Sequence, residues 1–144
     1  MVRRVRSLVS GHMRTMSIAY LTVLVVLTAI DFLWLRFVAL AFYKAEIGQL
    51  LLEKPRLAAA ALFYVVCAIG ILILAVQPAL EASSWQKAVF LGAVFGLCAY
   101  GTYDLTNLAT LRDWSLRLSI VDMAWGTVLV SLTALAGFIV ARLL

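Results

Sequence analysis

Charge is what this sequence most lacks. Asp, Glu, Lys and Arg make up 13% of its 144 residues, about half the share of an ordinary soluble domain. With 65% apolar residues, that deficit excludes a disordered chain and a soluble enzyme, and it points to an integral membrane protein. Histidine is almost missing: His12 alone cannot build a zinc site, a His-based triad or bis-His haem ligation. The two cysteines, Cys67 and Cys98, lie in apolar runs with neither CxxC nor metal-ligand spacing, so they read as small packing residues. There is no glycine-rich phosphate loop, and no Ser, Cys or Lys nucleophile stands beside a plausible base. The expectation is no catalytic residue, no metal, no cofactor and no enzyme activity.

What is present is apolar sequence in long runs. Four segments, Ser17–Ala41, Leu57–Val76, Ala88–Leu111 and Leu118–Ala141, each approach or exceed the ~20 residues that a spanning helix needs. Only helices suit such segments, because lipid offers no partner to an unpaired backbone amide. The reading is all-α: a four-helix polytopic transmembrane bundle, up-down-up-down, over residues 17–144, preceded by a basic, mobile arm at 1–16. Met13 and Met16 are further positions at which translation could start. The first segment has a basic flank and a small-x-small site at Ala39-Leu40-Ala41. It is nevertheless too long for a signal peptide's 7–15-residue apolar region, and Asp31 and Arg36 interrupt it.

The connections are short. Within Tyr43–Arg56, Ile47, Leu50 and Leu51 share helical spacing, which predicts a short helix lying in the membrane interface. Pro55 suits the first turn of the second span and Pro78 its end. Trp85 and Trp114, in the two later connections, suit an aromatic belt. The net charge of +5 resides in flanks and loops, so the expected partners are anionic lipid headgroups rather than nucleic acid. Arg3, Arg4, Arg6 and Arg14 precede the first span, which favours both termini on the cytoplasmic side.

Three carboxylates interrupt the spans: Asp31, Asp104 and Asp122. At ~1.5 Å per residue they lie about 15, 10 and 6 Å from the segment ends opposite the N-terminus. An up-down-up-down bundle therefore puts all three in one membrane half. Asp104 continues the i+4 row Ala88, Gly92, Gly96, Tyr100, whose small residues let another helix approach closely. Asn107 lies at i+3 from it, and Thr102, Thr106 and Thr110 form a neighbouring stripe. Asp122, Gly126, Thr133 and Gly137 line one face of the fourth span, while Thr28 and Asp31 share a face of the first. Asp31-Phe-Leu-Trp34 and Asp122-Met-Ala-Trp125 are both Asp-x-x-Trp. That spacing sets each indole one turn from its carboxylate, where its N–H can help satisfy it. Arg36 is expected to snorkel to the surface.

Two readings of the carboxylates stay open. They can lock the bundle through hydrogen bonds to Asn107, the Thr hydroxyls, Tyr100 and Tyr103. Alternatively they mark a binding or translocation site, the usual meaning of ionisable groups inside a membrane. Three neighbouring carboxylates cannot all stay charged in a low dielectric unless a cation or Arg36 neutralises them, which fits a proton- or cation-linked site.

Tyr103-Asp-Leu-Thr-Asn-Leu-Ala-Thr110, then Trp114, then Asp122-Met-Ala-Trp-Gly126, resembles a family of small bacterial inner-membrane proteins known as domain of unknown function 2177. Asp31-Phe-Leu-Trp34, Phe42-Tyr43, Ala59–Tyr64 and Pro78 are similar to it as well, so the resemblance covers about Met16–Val140. It implies a four-helix inner-membrane protein and no particular activity. The family's characteristic residues fall here on Asp31, Trp34, Tyr43, Asp104, Thr106, Asn107, Thr110, Asp122, Trp125 and Gly126. The expected site is Asp31, Asp104, Asn107 and Asp122, lined by Trp34, Tyr100, Tyr103, Thr106, Thr110 and Trp125. It would bind or transport a small or lipid-like ligand. Transport by so few helices implies a homodimer or larger complex. The alternative is a structural or accessory subunit.

Overall fold

A computed structural model describes the backbone from Val2 and the side chains from Gly11 to Leu144. Four helical runs, with no strand among the described residues, make an antiparallel bundle. Helix α1 (2–50) comprises α-helix Val2–Trp34, a π turn Leu35–Ala39, α-helix Leu40–Ile47 and a closing 3-10 turn Gly48–Leu50. Helix α2 is Leu57–Glu81, with a π turn at Leu72–Val76, α3 is Trp85–Thr110 and α4 is Leu116–Arg142. All four are long and apolar enough to cross a membrane. Both termini thus sit at one end of the bundle, and the opposite end is called the far end below.

Local chemistry explains most boundaries. Ser84 and Ser115 cap α3 and α4, their hydroxyls accepting from the backbone N–H of Lys87 at 3.2 Å and Leu118 at 3.1 Å. In α2, Pro78 has no N–H to offer the carbonyl one turn back. The helix answers by widening into the π turn just before it, where the Gln77 N–H reaches Leu72 O. Proline was expected to end this span, yet the helix runs on to Glu81. Pro55 lies just outside α2 rather than in its first turn. The expected interfacial helix around Ile47, Leu50 and Leu51 is instead the continuation of α1. Lys44 and Glu46 end its apolarity but not its hydrogen bonding. Gly11–Met16, expected within a separate arm, continue α1, and the side chains of Arg3, Arg4 and Arg6 lie outside the described residues.

Helices α3 and α4 pack most extensively, followed by α1 and α4. Glycine is the reason. A Cβ on Gly92 would stand 2.9 Å from Val130 O, and one on Gly96 would strike the carbonyl of Gly126. The two backbones therefore touch, as the small-residue row implied. The apolar core, including Val23, Leu27, Ile71, Val76, Leu129 and Val130, fills the rest of the bundle. Helices α2 and α3 behave differently. Their backbones approach over Leu72–Glu81, beside their tight connection, and lie farther apart over Leu57–Ile71, where the rings of Phe95 and Tyr100 reach Gly70 and Phe63. They splay toward the far end, and the gap between them opens laterally.

Candidate functional site

The far end gathers the polar residues. Asp31, Asp104 and Asp122, from α1, α3 and α4, are all buried, Asp104 completely. Asp122 lies within electrostatic reach of both of the others. The depth reasoning and the small-residue rows thus lead to the observed convergence.

Each carboxylate has a different environment. Asp31 is satisfied at both oxygens: the Trp125 indole N–H donates to Oδ1 at 2.8 Å and the Tyr64 hydroxyl to Oδ2 at 2.8 Å. Three helices, α1, α2 and α4, are joined at this one group. Asp122 accepts from the Tyr43 hydroxyl at Oδ1, and no donor reaches its other oxygen among the described residues. Asp104 has no hydrogen-bond partner at either oxygen, although Asp122 and Ser119 lie beside it. An ionised carboxylate buried without a donor is costly. This is where a proton, or a donor from outside the chain, is needed.

The second half of α1 closes over this cluster. In a straight antiparallel pair, twelve residues past Asp31 would face the position twelve before Trp125, which is Asp113. Tyr43 meets Asp122 instead. The π turn at Leu35–Ala39 redirects the remaining helix across the end of α4. Tyr43 also reaches back, because helical side chains lean toward their own N-terminus. Further contacts hold the segment down. Glu46 accepts from the Ser115 hydroxyl and pairs with Arg117 at 3.4 Å, and the Arg117 guanidinium lies 5.5 Å from the centre of the Phe42 ring. Trp114 packs edge-on to Tyr103, with centroids 5.5 Å apart, and its indole N–H donates to Ser119 Oγ at 3.0 Å.

A cavity of about 460 Å³ opens beside this roof. Asp31 and Asp122 supply its charge, and Tyr43, Phe63, Tyr100 and Tyr103 supply aromatic wall. Leu35, Ala99, Thr102 and Thr106 complete it. The Tyr100 ring lies against Gly126, where any Cβ would collide with it, so this glycine permits the ring's position. Among the described residues no basic side chain lines the cavity, and among them no cluster of three or more His, Cys, Asp or Glu is arranged to hold a metal ion.

Several expected members stand elsewhere. Asp104 does not line the cavity: two residues apart on a helix is about 200°, so the cavity faces Thr102 and Thr106 while Asp104 faces α4. Asn107 is half-buried away from the cavity, and Thr110 is exposed beyond it. The hydroxyls of Thr102, Thr106 and Thr110 bond carbonyls of their own helix, at Cys98, Thr102 and Thr106 respectively. None of them donates to a carboxylate, and neither does Asn107 among the described residues. The indoles also pair differently from the one-turn expectation. Trp125 serves the carboxylate of α1 rather than its own, while Trp34 stacks on Trp125 with centroids 4.3 Å apart and planes 11° from parallel. The Trp34 N–H is buried without a partner. Arg36 is exposed and makes no ion pair among the described residues.

The donors Tyr43 and Tyr64, and the walls Phe63 and Ala99, were not assigned to the site by sequence reasoning. Tyr64 had one usable signal: it is the single tyrosine of an otherwise apolar span, and a hydroxyl there needs a partner.

The family model described as "Predicted membrane protein (DUF2177)" matches residues 16–139. The chain belongs to this family. As a DUF2177 member with four spanning helices it is an integral membrane protein. Among curated proteins and among solved structures nothing matches the chain.

Proposed function

We propose that this DUF2177 protein binds a small or lipid-like ligand in the far-end cavity. The observation that carries the reading is the 460 Å³ space itself, placed against Asp31 and Asp122 inside a membrane protein. A cluster that served only to lock helices gains nothing from leaving such a space beside it, since close packing would add dispersion contacts. The splay of α2 from α3 supports entry from the bilayer. The unpartnered Asp104 behind Asp122 supports a proton moving with the ligand. Transport would need a second copy to complete a path. The basic residues ahead of the first span support a bacterial inner-membrane location with both termini cytoplasmic, which the protease accessibility of a C-terminal tag in spheroplasts tests.

The ligand reading is tested with Thr102→Trp, which fills the cavity from its exposed rim and removes no carboxylate. Native mass spectrometry of protein released from membranes is expected to show a molecule retained by the wild type and lost from the variant, with equal yield of folded protein. Equal retention, or no retained molecule in either, refutes it. The second reading, a structural or accessory subunit, is favoured by Asp31, whose donors already tie three helices together. Under it Asp31→Asn loses folded protein, while Asp122→Asn and Thr102→Trp change nothing that binds.

A further inference from the structure

The geometry points to a cationic amphiphile as the ligand: a protonated amine head in the carboxylate cavity, with its aliphatic tail along the adjoining groove between α2 and α3. This deepens, and rests on, the ligand-binding reading above. Three independent features carry it.

First, the carboxylates of the cavity have acceptor capacity to spare. Of the four oxygens of Asp31 and Asp122, which line it, three accept a protein hydrogen bond among the described residues. The second oxygen of Asp122 is left over, and behind it the two unpartnered oxygens of fully buried Asp104 add to the local negative potential. An ammonium has donors and no acceptor, so it matches this surplus, whereas a phosphate or carboxylate head adds to it. Second, the rest of the wall suits a cation. Tyr43, Phe63, Tyr100 and Tyr103 surround the space, and aromatic faces attract cations most where water is excluded. The nearby guanidinium of Arg117 is engaged with Glu46 and Phe42 outside the cavity. Third, the cavity adjoins an apolar space. A groove of about 430 Å³ is walled by Leu62, Val66, Cys67 and Phe95, and it shares Phe63 and Ala99 with the first cavity. From Ala59 to Cys67 it follows about 12 Å of helix toward the middle of the membrane. A polar chamber at the far end joined to an apolar channel toward the bilayer centre fits a head and a tail.

The test uses the full chain in nanodiscs of zwitterionic phosphatidylcholine, with dodecylamine, dodecanol and dodecyl phosphate as probes at neutral pH. Binding is followed by quenching of the stacked Trp34–Trp125 pair and counted by native mass spectrometry. Dodecylamine is expected to bind saturably, at one per chain and at least tenfold more tightly than either other probe. Asp122→Asn is expected to abolish that preference. Ala99→Phe, which blocks the junction of the two spaces while keeping every charge, is expected to weaken binding at least tenfold. The lipid-facing control Phe90→Ala is expected to change nothing. If Asp122→Asn fails to fold, Ala99→Phe and the probe series still decide. Saturable binding of dodecanol or dodecyl phosphate, with no preference for the amine, overturns the cationic assignment and leaves the ligand site standing. Absence of saturable binding by all three probes overturns both.

Discussion

Gly96→Ala attacks the contact on which the arrangement of the carboxylates depends. Helices α3 and α4 carry Asp104 and Asp122, and their backbones meet at Gly96 and Gly126. A Cβ added at Gly96 would overlap the Gly126 carbonyl oxygen and stand 2.9 Å from its carbon and 3.0 Å from Val130 Cβ. Two of the three obstacles are backbone, which no rotamer change can move. The helices must therefore part by roughly 1 Å, a gap that forfeits a quarter to a half of each dispersion contact across it. Overpacking of this kind costs about 1–3 kcal/mol, against a gain of about 1 kcal/mol from replacing a helical glycine by alanine. Gly101 provides the internal comparison. It is buried in the same helix, but its added Cβ would meet only the flexible end of Met123 at 3.3 Å and Leu105 at 3.9 Å. Gly101→Ala is thus expected to be neutral or stabilising by up to ~1 kcal/mol. The two variants should differ by about 2 kcal/mol, roughly a thirtyfold change in the folded-to-unfolded ratio. Reversible unfolding in mixed micelles, followed by far-UV circular dichroism, measures it. Equal stability of the two alanine variants would refute the claim that these backbones are in contact.

Two further changes test single interactions. Asp31→Asn keeps the shape but leaves one acceptor oxygen where the Trp125 indole and the Tyr64 hydroxyl now find two. A loss of about 1 kcal/mol, the scale of interhelical hydrogen bonds in membranes, and a shifted Trp emission maximum are expected in the same unfolding assay; Ser131→Ala, whose hydroxyl bonds only the Thr127 carbonyl of its own helix, should leave that maximum in place. Ser83 sits at φ 49° in the tight α2–α3 turn, a conformation that suits glycine. Ser83→Gly is expected to stabilise by about 0.5–1 kcal/mol, read as a raised midpoint, despite losing the exposed bond from Arg142.

Much of this molecule was legible in its sequence because lipid is an exacting solvent. Four runs of apolar residues could only be helices, and their alternation put Asp31, Asp104 and Asp122 at one end. The i+4 row through Gly92 and Gly96 correctly gave the face of α3 that meets α4. Helix ends were less legible. Apolarity stops near Ala41 while hydrogen bonding continues to Leu50, and Pro78 is absorbed by a π turn instead of ending its helix. The donors were hidden for a related reason. Which hydroxyl reaches which carboxylate depends on helix rotation and on the π turn at Leu35–Ala39, and neither has a local sequence signature. Thr106 and Asp104 are close in sequence, which grouped them into one site. The rotation of about 200° between them puts one on the cavity and the other behind it.

The cavity itself follows from unequal packing. Glycines draw α3 and α4 together until backbone meets backbone. No comparable row exists on α2, where Gly70 faces the ring of Phe95, 2.6 Å from where a Cβ would stand. A ring between two helices holds them apart by its own width. Above that ring, toward the far end, the backbones of α2 and α3 stay apart, and the Phe63 ring meets the edge of Tyr100 with centroids 6.5 Å apart while lining the cavity. The polar cluster is consequently anchored on one side to the tightest pair in the bundle and open on the other to the gap between α2 and α3. Acceptors held by α1 and α4 beside an open gap are what a site needs if its ligand enters sideways from the bilayer, and a movement of α2 there would release the Tyr64 hydroxyl from Asp31 and free a further acceptor oxygen.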